Sequence, residues 1–155
     1  MPADVCVECA DANRAESYIQ LLENVGEELL RACAASDREL SILLTDDPGI
    51  QALNAQWRGV DAPTDVLSFA FDEVEQHAEW MPLGDVVLNL DRADTQRHDH
   101  GLGLEQELIY LLIHGFCHLR GFDHAEPEEA AHMKAEEERL VGIVGQDAQR
   151  PQNFF

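Results

Sequence analysis

The sequence predicts a single α+β domain in which a mixed sheet of four strands packs against about five helices. Short runs rich in Val, Leu and Ile alternate with longer segments whose apolar residues recur every three or four positions, as in amphipathic helices. The order of these segments is not a strict β-α-β repeat, which favours α+β over a parallel α/β sheet. A length of 155 residues suits one domain. We expect residues 1–145 to form it and residues 146–155 to be a flexible tail.

The first half of the chain predicts two strands and two helices. Val5–Cys9 has the composition of a strand, and Glu16–Ala35 is a helix because its apolar residues recur at helical spacing. Leu40–Leu44 is a second strand that ends in a Thr-Asp-Asp-Pro-Gly turn. A short helix over Pro48–Trp57 follows, capped by one of the two aspartates before it and begun by a proline in its first turn.

The second half predicts two further strands and three helices. Val66–Phe71 and Val86–Leu90 are apolar strand segments. The acidic segment between them, Asp72–Leu83, is expected to be a mobile surface loop. Polar and Gly-rich turns separate the three helices that follow. These run over about Arg92–His98, Leu104–Arg120 and Pro127–Val144.

Three histidines follow the longest apolar helix. His114 and His118 lie four residues apart, so their side chains share one face of that helix. Gly121 can end the helix in a left-handed conformation, and the chain can then return His124 to the same point. Three imidazoles with one open position are the ligands of a catalytic zinc site, whereas a hydrogen-bonded structural cluster is the alternative. The spacing favours the metal site.

The histidine spacing, His-x-x-x-His-x-x-Gly-x-x-His, is that of the metzincin proteases, so we expect a zincin-like metal helix. Those enzymes carry a glutamate directly after the first histidine as general base. Gly115 stands there in this chain. The sequence therefore keeps the metal ligands of a peptidase and lacks its main proton acceptor.

The composition limits the partners and the location of the chain. Its net charge is −21, with only 10 basic side chains, which taken alone argues against nucleic acid because phosphate contacts usually supply the affinity. No apolar run approaches the roughly 20 residues needed to span a bilayer. Residues 1–10 do not have the pattern of a secretory signal. We therefore expect a cytoplasmic location and no membrane partner.

Two further sets of residues are interpreted as structural. Cys6 and Cys9 lie in a predicted strand, where residues three apart point to opposite faces, and Cys117 is expected to pack in the core. The late acidic cluster is interpreted as a solvated helix face. Its members are Glu128, Glu129, Glu136, Glu137 and Glu138.

Several motifs together resemble the YbeY endoribonucleases. They are His114-Gly115-x-x-His118-Leu119-x-Gly121-Phe122-Asp123-His124, Arg58-Gly59, Pro63-Thr64-Asp65-Val66-Leu67-Ser68-Phe69 and Gly84-Asp85-Val86. The similarity extends in register from about Leu53 to His124. The departures are Cys117 where the family usually has Leu, Phe122 where it often has Tyr, and Gln106 where Arg is expected.

The resemblance implies a single-strand-specific endoribonuclease with one Zn²⁺ per chain. Such an enzyme acts in 3′-end maturation of small-subunit ribosomal RNA and in ribosome quality control, with RNA, the small subunit and its associated proteins as partners. It implies that His114, His118 and His124 bind the metal, and that Arg58 and His114 serve catalysis. The alternatives are a ribosome assembly factor whose structural zinc has a fourth protein ligand, and a metallohydrolase of peptides or esters.

Each remaining candidate residue has a possible functional role and a possible structural role. Arg58 faces phosphate or pairs with Asp61 or Asp65 on the surface. Glu107 accepts the second N–H of a metal ligand or forms a surface ion pair. Asp123 orients His124 or caps the turn. Weaker candidates are Asp85 near the cleft, His98 and His100 in a polar loop, and Trp57 and Phe69 as base-stacking residues. RNA affinity would come from Arg58, Arg92, Arg97 or Arg120, or from docking on the ribosome.

Overall fold

The computed structural model of the chain describes residues 3–71, 81–145 and 148–151, and these contain four strands and five helices. The strands are β1 (Ala3–Glu8), β2 (Arg38–Thr45), β3 (Val66–Ala70) and β4 (Met81–Asn89). The helices are α1 (Asn13–Ala32), α2 (Asp47–Arg58), α3 (Leu90–His100), α4 (Leu104–Leu119) and α5 (Pro127–Val144). The predicted α+β fold is confirmed, and every predicted element is present with its ends shifted by a few residues.

The four strands form one mixed sheet in the order β1-β2-β4-β3. β1, β2 and β4 are parallel, whereas the edge strand β3 runs antiparallel to β4. β4 begins earlier than predicted, because residues 81–83 of the expected mobile loop belong to it and Leu83 is buried. The rest of that loop, residues 72–80, lies outside the described residues.

The main core lies between one face of the sheet and helices α1, α4 and α5. α4 is the central helix of this layer, and its residues from 107 to 117 are all buried. This central position explains why the apolar run of α4 is so long, since every side of the helix is covered by protein. Cys117 is fully buried here, as expected of a packing residue, and burial raises the pKa of its thiol.

The opposite face of the sheet is partly covered by α2. Asp46 caps this helix by accepting a hydrogen bond from the Gly49 N–H at 3.1 Å, as one of the two predicted capping aspartates. Ile50 of α2 packs on Leu67 and Val87 of the sheet. The helix ends where Gly59 adopts a φ of 71°, so Arg58 is its last residue. Arg58 thereby lines the same cavity as Val66, the first residue of β3.

The described part of the predicted flexible tail, residues 148–151, lies against the body of the domain. The side chain of Arg150 is 4% exposed, and Pro151 is buried. Residues 146–147 and 152–155 lie outside the described residues. Across the described ranges, none of the helices combines the length and the apolar character that crossing a membrane requires.

Candidate metal centre

The last two turns of α4 carry the first two histidines of the motif. Their Nε2 atoms are 3.2 Å apart and their rings are nearly perpendicular, at 86°. His114 is 5% exposed, whereas His118 is half-buried. Helical spacing alone accounts for this convergence, because residues four apart lie one above the other.

The turn after α4 has the hydrogen bonds of a Schellman motif. Gly121 has a φ of 93°, its N–H donates to the His118 carbonyl at 3.0 Å, and the Phe122 N–H donates to the Cys117 carbonyl at 3.1 Å. This reversal also returns the Phe122 carbonyl to within 2.9 Å of His118 Nδ1. The glycine thus ends the helix as predicted, and the same turn fixes the ring of one histidine.

The third histidine reaches the same point from the loop after that turn. The ring centroid of His124 is 5.5 Å from that of His114 and 5.3 Å from that of His118. One ring nitrogen from each histidine lies within 4.8 Å of the other two. Asp123 accepts a hydrogen bond from the backbone N–H of His124 at 2.8 Å, so its observed contact is that of a turn cap.

The three histidines could hold a metal ion, and their hydrogen bonds fit that use. A carbonyl oxygen only accepts, so the Nδ1 of His118 carries the proton and its Nε2 presents a lone pair. Two nitrogens bound tetrahedrally to one zinc ion stand about 3.3 Å apart, close to the distance found here. Burial, and then the two neighbouring histidines, lower the pKa of His118, which favours the neutral form that ligates metals.

A cavity of about 790 Å³ opens over the histidines and is also lined by Arg58 and Asp65. The two surface pairs considered for Arg58 are not formed. Asp61 accepts from Gln51 at 2.9 Å, and Asp65 accepts from the Val66 N–H at 2.8 Å. Within residues 3–71, 81–145 and 148–151, Arg58 forms no ion pair, and its side chain is exposed beside the cavity.

Gly115 occupies the position of the protease general base, and the sheet closes that position. A Cβ atom there would lie 2.7 Å from Val86 Cγ1 and 3.0 Å from Ser68 Oγ. Any side chain, and above all a glutamate, would require the helix or these neighbouring side chains to shift. Packing against the sheet therefore disfavours a glutamate at the position of the peptidase base.

Glu137 was interpreted as part of a solvated helix face, and this interpretation is wrong. Glu137 is fully buried, and its Oε2 lies 2.7 Å from Nδ1 of His114. The burial of Glu137 could have been predicted from its spacing to the apolar residues of the same helix. Glu137 shares one face of α5 with Met133, Leu140 and Val144, all of which are buried.

Glu107 and His100 also differ from expectation. Glu107 is fully buried, and its carboxylate contacts His100 Nδ1 and Gln96 Nε2, each at 2.8 Å, in place of a metal ligand. His100 belongs to α3, and its side chain is only 9% exposed, so it is not solvated in a loop. His98 is exposed on the same helix. Gln106 accepts from the Gly103 N–H at 2.9 Å and so caps the start of α4.

Asp85, Trp57 and Phe69 lie away from the histidines. They line a separate groove of about 440 Å³ on the face of the sheet opposite α4. Burial raises the pKa of Asp85, partly offset by a hydrogen bond from Ser41. Trp57 is 64% exposed at this groove. The structure therefore separates these three residues from the candidate metal centre.

Comparison with known proteins agrees with the fold and with the family resemblance. The family described as "Endoribonuclease YbeY" matches residues 7–145. A protein of that name from Pelotomaculum thermopropionicum is 44% identical, over 82% of this chain and 86% of its own length. Another from Exiguobacterium sp. is 40% identical, over 81% and 85%. The solution structure of a Thermotoga maritima protein superposes with a TM-score of 0.60 at 26% identity, over 92% of this chain and 88% of that one.

The family match spans residues 7–145, which is most of the chain, and the positions of all three histidines and Arg58 lie within that span. It agrees with the resemblance found in the sequence motifs. The chain belongs to the YbeY endoribonuclease family.

Proposed function

We propose that the chain is a zinc-dependent endoribonuclease that cleaves single-stranded RNA, with residues 1–145 as its catalytic domain. The observation that carries the proposal is the convergence of three histidines in one cavity beside an arginine that has no ion-pair partner among the described residues. By family membership, the proposed substrate is the 3′ end of small-subunit ribosomal RNA, in maturation and in ribosome quality control.

The metal, when bound, would polarise a phosphate oxygen and lower the pKa of a bound water. The residues of the chain supply the rest of the chemistry. His114, His118 and His124 would hold the ion, while the Phe122 carbonyl keeps His118 in the tautomer that ligates it. Arg58 can bind the scissile phosphate through two parallel hydrogen bonds and stabilise the negative charge that develops there.

The acidic character of the chain indicates that a docking partner contributes to RNA binding. Of the basic residues considered for RNA contact, Arg97 pairs with Asp94 at 2.9 Å and Arg120 pairs with Glu136. These pairs neutralise part of the positive charge that phosphates would need. We therefore propose that the small ribosomal subunit and its associated proteins supply much of the affinity, and that the chain acts in the cytoplasm.

Two observations argue against the competing functions. The metal-binding group within the described residues consists of three histidines, which favours an open position over a closed structural site. A peptidase function is disfavoured because the chain lacks the general base of a peptidase. A side chain at position 115 would clash with Val86.

The test is RNA cleavage by the metal-replete protein beside Arg58→Ala, Arg58→Lys, His118→Ala and Arg31→Ala, with the metal content of each determined. Arg31 is an exposed arginine in the last turn of α1 and serves as the control. We expect Arg58→Ala to lose cleavage and keep its metal, Arg58→Lys to recover part of the rate, and His118→Ala to lose both. Cleavage that persists in Arg58→Ala and His118→Ala would refute the proposal.

A further inference from the structure

Glu137 is a buried carboxylate whose contacts come from three different parts of the chain. Its Oε1 accepts from Tyr110 Oη of α4 at 2.7 Å and from Arg150 Nε of the C-terminal segment at 2.8 Å. Its Oε2 accepts from His114 Nδ1 at 2.7 Å. A carboxylate is costly to bury unless it is well hydrogen-bonded, and here both oxygens are.

Packing alone does not explain this residue. The face of α5 that carries Glu137 is otherwise apolar, with Met133, Leu140 and Val144 buried beside it. Replacing a buried ion pair by apolar residues of similar volume is often neutral or stabilising. Apolar residues in place of both Glu137 and Arg150 would therefore often serve the fold as well, so the contact with His114 is what distinguishes the carboxylate.

The contact determines which nitrogen of His114 faces the cavity. A carboxylate oxygen only accepts, so His114 Nδ1 carries the proton and its Nε2 presents a lone pair toward His118. Carboxylate partners of this kind orient a metal-binding imidazole and raise its basicity. His118 has a backbone carbonyl in the same role, so the two ligands on α4 are supported by different groups.

Tyr110 and Arg150 hold the carboxylate in place. The hydroxyl of Tyr110 donates to Glu137 Oε1 at 2.7 Å. Arg150 balances the buried negative charge and is itself 4% exposed. Both donate to Oε1, which leaves Oε2 directed at His114.

We propose that Glu137 is a positioning residue for the metal ligand His114, and that Arg150 makes the C-terminal segment 148–151 part of that support. This inference rests on the proposed metal binding of the three histidines. Loss of either residue would leave the ligands present and His114 less firmly oriented.

The test measures zinc affinity by competition with a chromophoric chelator, and needs no RNA. The variants are Glu137→Gln, Arg150→Met and Tyr110→Phe. Glu136→Gln is the matched control, because Glu136 is the adjacent residue and pairs with Arg139 and Arg120 in place of a ligand. We expect Glu137→Gln to weaken zinc binding about 10- to 100-fold, the usual effect of removing such a partner. Arg150→Met and Tyr110→Phe should weaken it less, and Glu136→Gln should not change it.

The outcomes separate this inference from the proposed function. Wild-type protein that binds zinc no better than His118→Ala would refute the metal site itself. If the wild-type protein binds zinc clearly and both Glu137→Gln and Arg150→Met keep the same affinity, the positioning role alone is refuted. The apo form of each variant is checked by circular dichroism. If Glu137→Gln does not fold, the same comparison between Arg150→Met, Arg150→Lys and wild type decides, with recovery by Arg150→Lys expected.

Discussion

The hydroxyl of Ser68 donates a hydrogen bond to the carbonyl oxygen of Gly115 at 2.8 Å. This contact joins the edge strand β3 to α4 one residue after the first histidine of the metal centre. The helix comes this close to the sheet only because position 115 has no side chain, since a Cβ atom there would lie 3.0 Å from Ser68 Oγ of β3 and 2.7 Å from Val86 Cγ1 of the neighbouring β4. The distance between helix and sheet therefore sets the position of His114 over the cavity.

Gly115→Ala is expected to destabilise the protein by about 1–3 kcal/mol, because overpacking a well-filled core costs that much. In an open helix the same substitution stabilises by up to about 1 kcal/mol, so the sign of the effect is informative. The measurement is urea unfolding of the metal-free protein.

Gly142→Ala is the control for this substitution. Gly142 lies in α5, and nothing lies within 4 Å of the Cβ atom it would gain. The Gly142→Ala substitution should leave the free energy of unfolding unchanged or raise it slightly. An equal gain of stability in both variants would mean that α4 does not pack on the sheet at Gly115 as described.

Zinc is expected to raise the thermal stability of the wild-type protein, because a ligand that binds only the folded state stabilises it by about 2.7 kcal/mol at 100 times its dissociation constant. His124→Ala should abolish this zinc-dependent shift. Since His124 is exposed, the same variant should change the stability of the apo protein by no more than about 0.5 kcal/mol. Differential scanning fluorimetry with and without zinc measures both effects.

His98→Ala is the control for His124→Ala, because His98 is also an exposed histidine and lies on α3. It should keep the full zinc-dependent shift. A variant of His124 that retained the shift would exclude this residue as a ligand.

The parts of the site that were predicted correctly depend on local rules. The convergence of His114 and His118 follows from helical spacing, and the turn at Gly121 follows from the preference of helix ends for glycine. Both rules involve residues a few positions apart, so the sequence contains all the information they need. The placement of Arg58 beside the cavity came from the family resemblance, because nothing local connects α2 to α4.

The parts that were missed depend on how distant elements pack. Arg150 meets Glu137 only because the C-terminal segment folds back on α5, and His100 meets Glu107 only because α3 packs on α4. Glu137 was misinterpreted for another reason. A run of acidic residues predicts a solvated helix face, whereas the position of Glu137 relative to Met133 and Leu140 places it on the buried face of the helix.

Asn89→Ala is expected to cost about 2–4 kcal/mol, because Asn89 is fully buried and joins three segments. Its Oδ1 caps α3 by accepting from the Asp91 N–H at 3.0 Å, while its Nδ2 donates to Asp47 Oδ1 at 2.6 Å and to the Thr64 carbonyl at 2.9 Å. Alanine removes the cap and leaves two acceptors without this donor. Urea unfolding measures the loss.

Asn24→Ala is the comparison for Asn89→Ala. Asn24 is exposed on α1, and its side chain accepts one hydrogen bond from Gln20. Its replacement should change the free energy of unfolding by no more than about 0.5 kcal/mol. Equal effects of the two substitutions would contradict the described role of Asn89.

Glu136→Gln is expected to reduce the acid dependence of stability. Hydrogen bonds from Arg139, and then from Arg120, lower the pKa of Glu136 from 4.5 to about 2. Between these two values the unfolded chain binds a proton that the folded protein does not. The stabilisation from this carboxylate is therefore complete above about pH 4.5 and is lost as the pH falls toward 2. Because Arg139 is partly exposed, we expect the Glu136 carboxylate to contribute about 1 kcal/mol to the free energy of unfolding at pH 7.

The check is urea unfolding of wild type, Glu136→Gln and Glu138→Gln between pH 7 and pH 2. Glu138 is the exposed neighbour on α5, and its variant shares the loss of one carboxylate. The difference between wild type and Glu136→Gln should shrink as the pH falls below 4.5 and vanish near pH 2. Glu138→Gln should follow the wild-type curve throughout. A constant difference for Glu136→Gln across the whole range would mean that the substitution acts through packing, and that the ion pairs of Glu136 with Arg139 and Arg120 contribute nothing measurable.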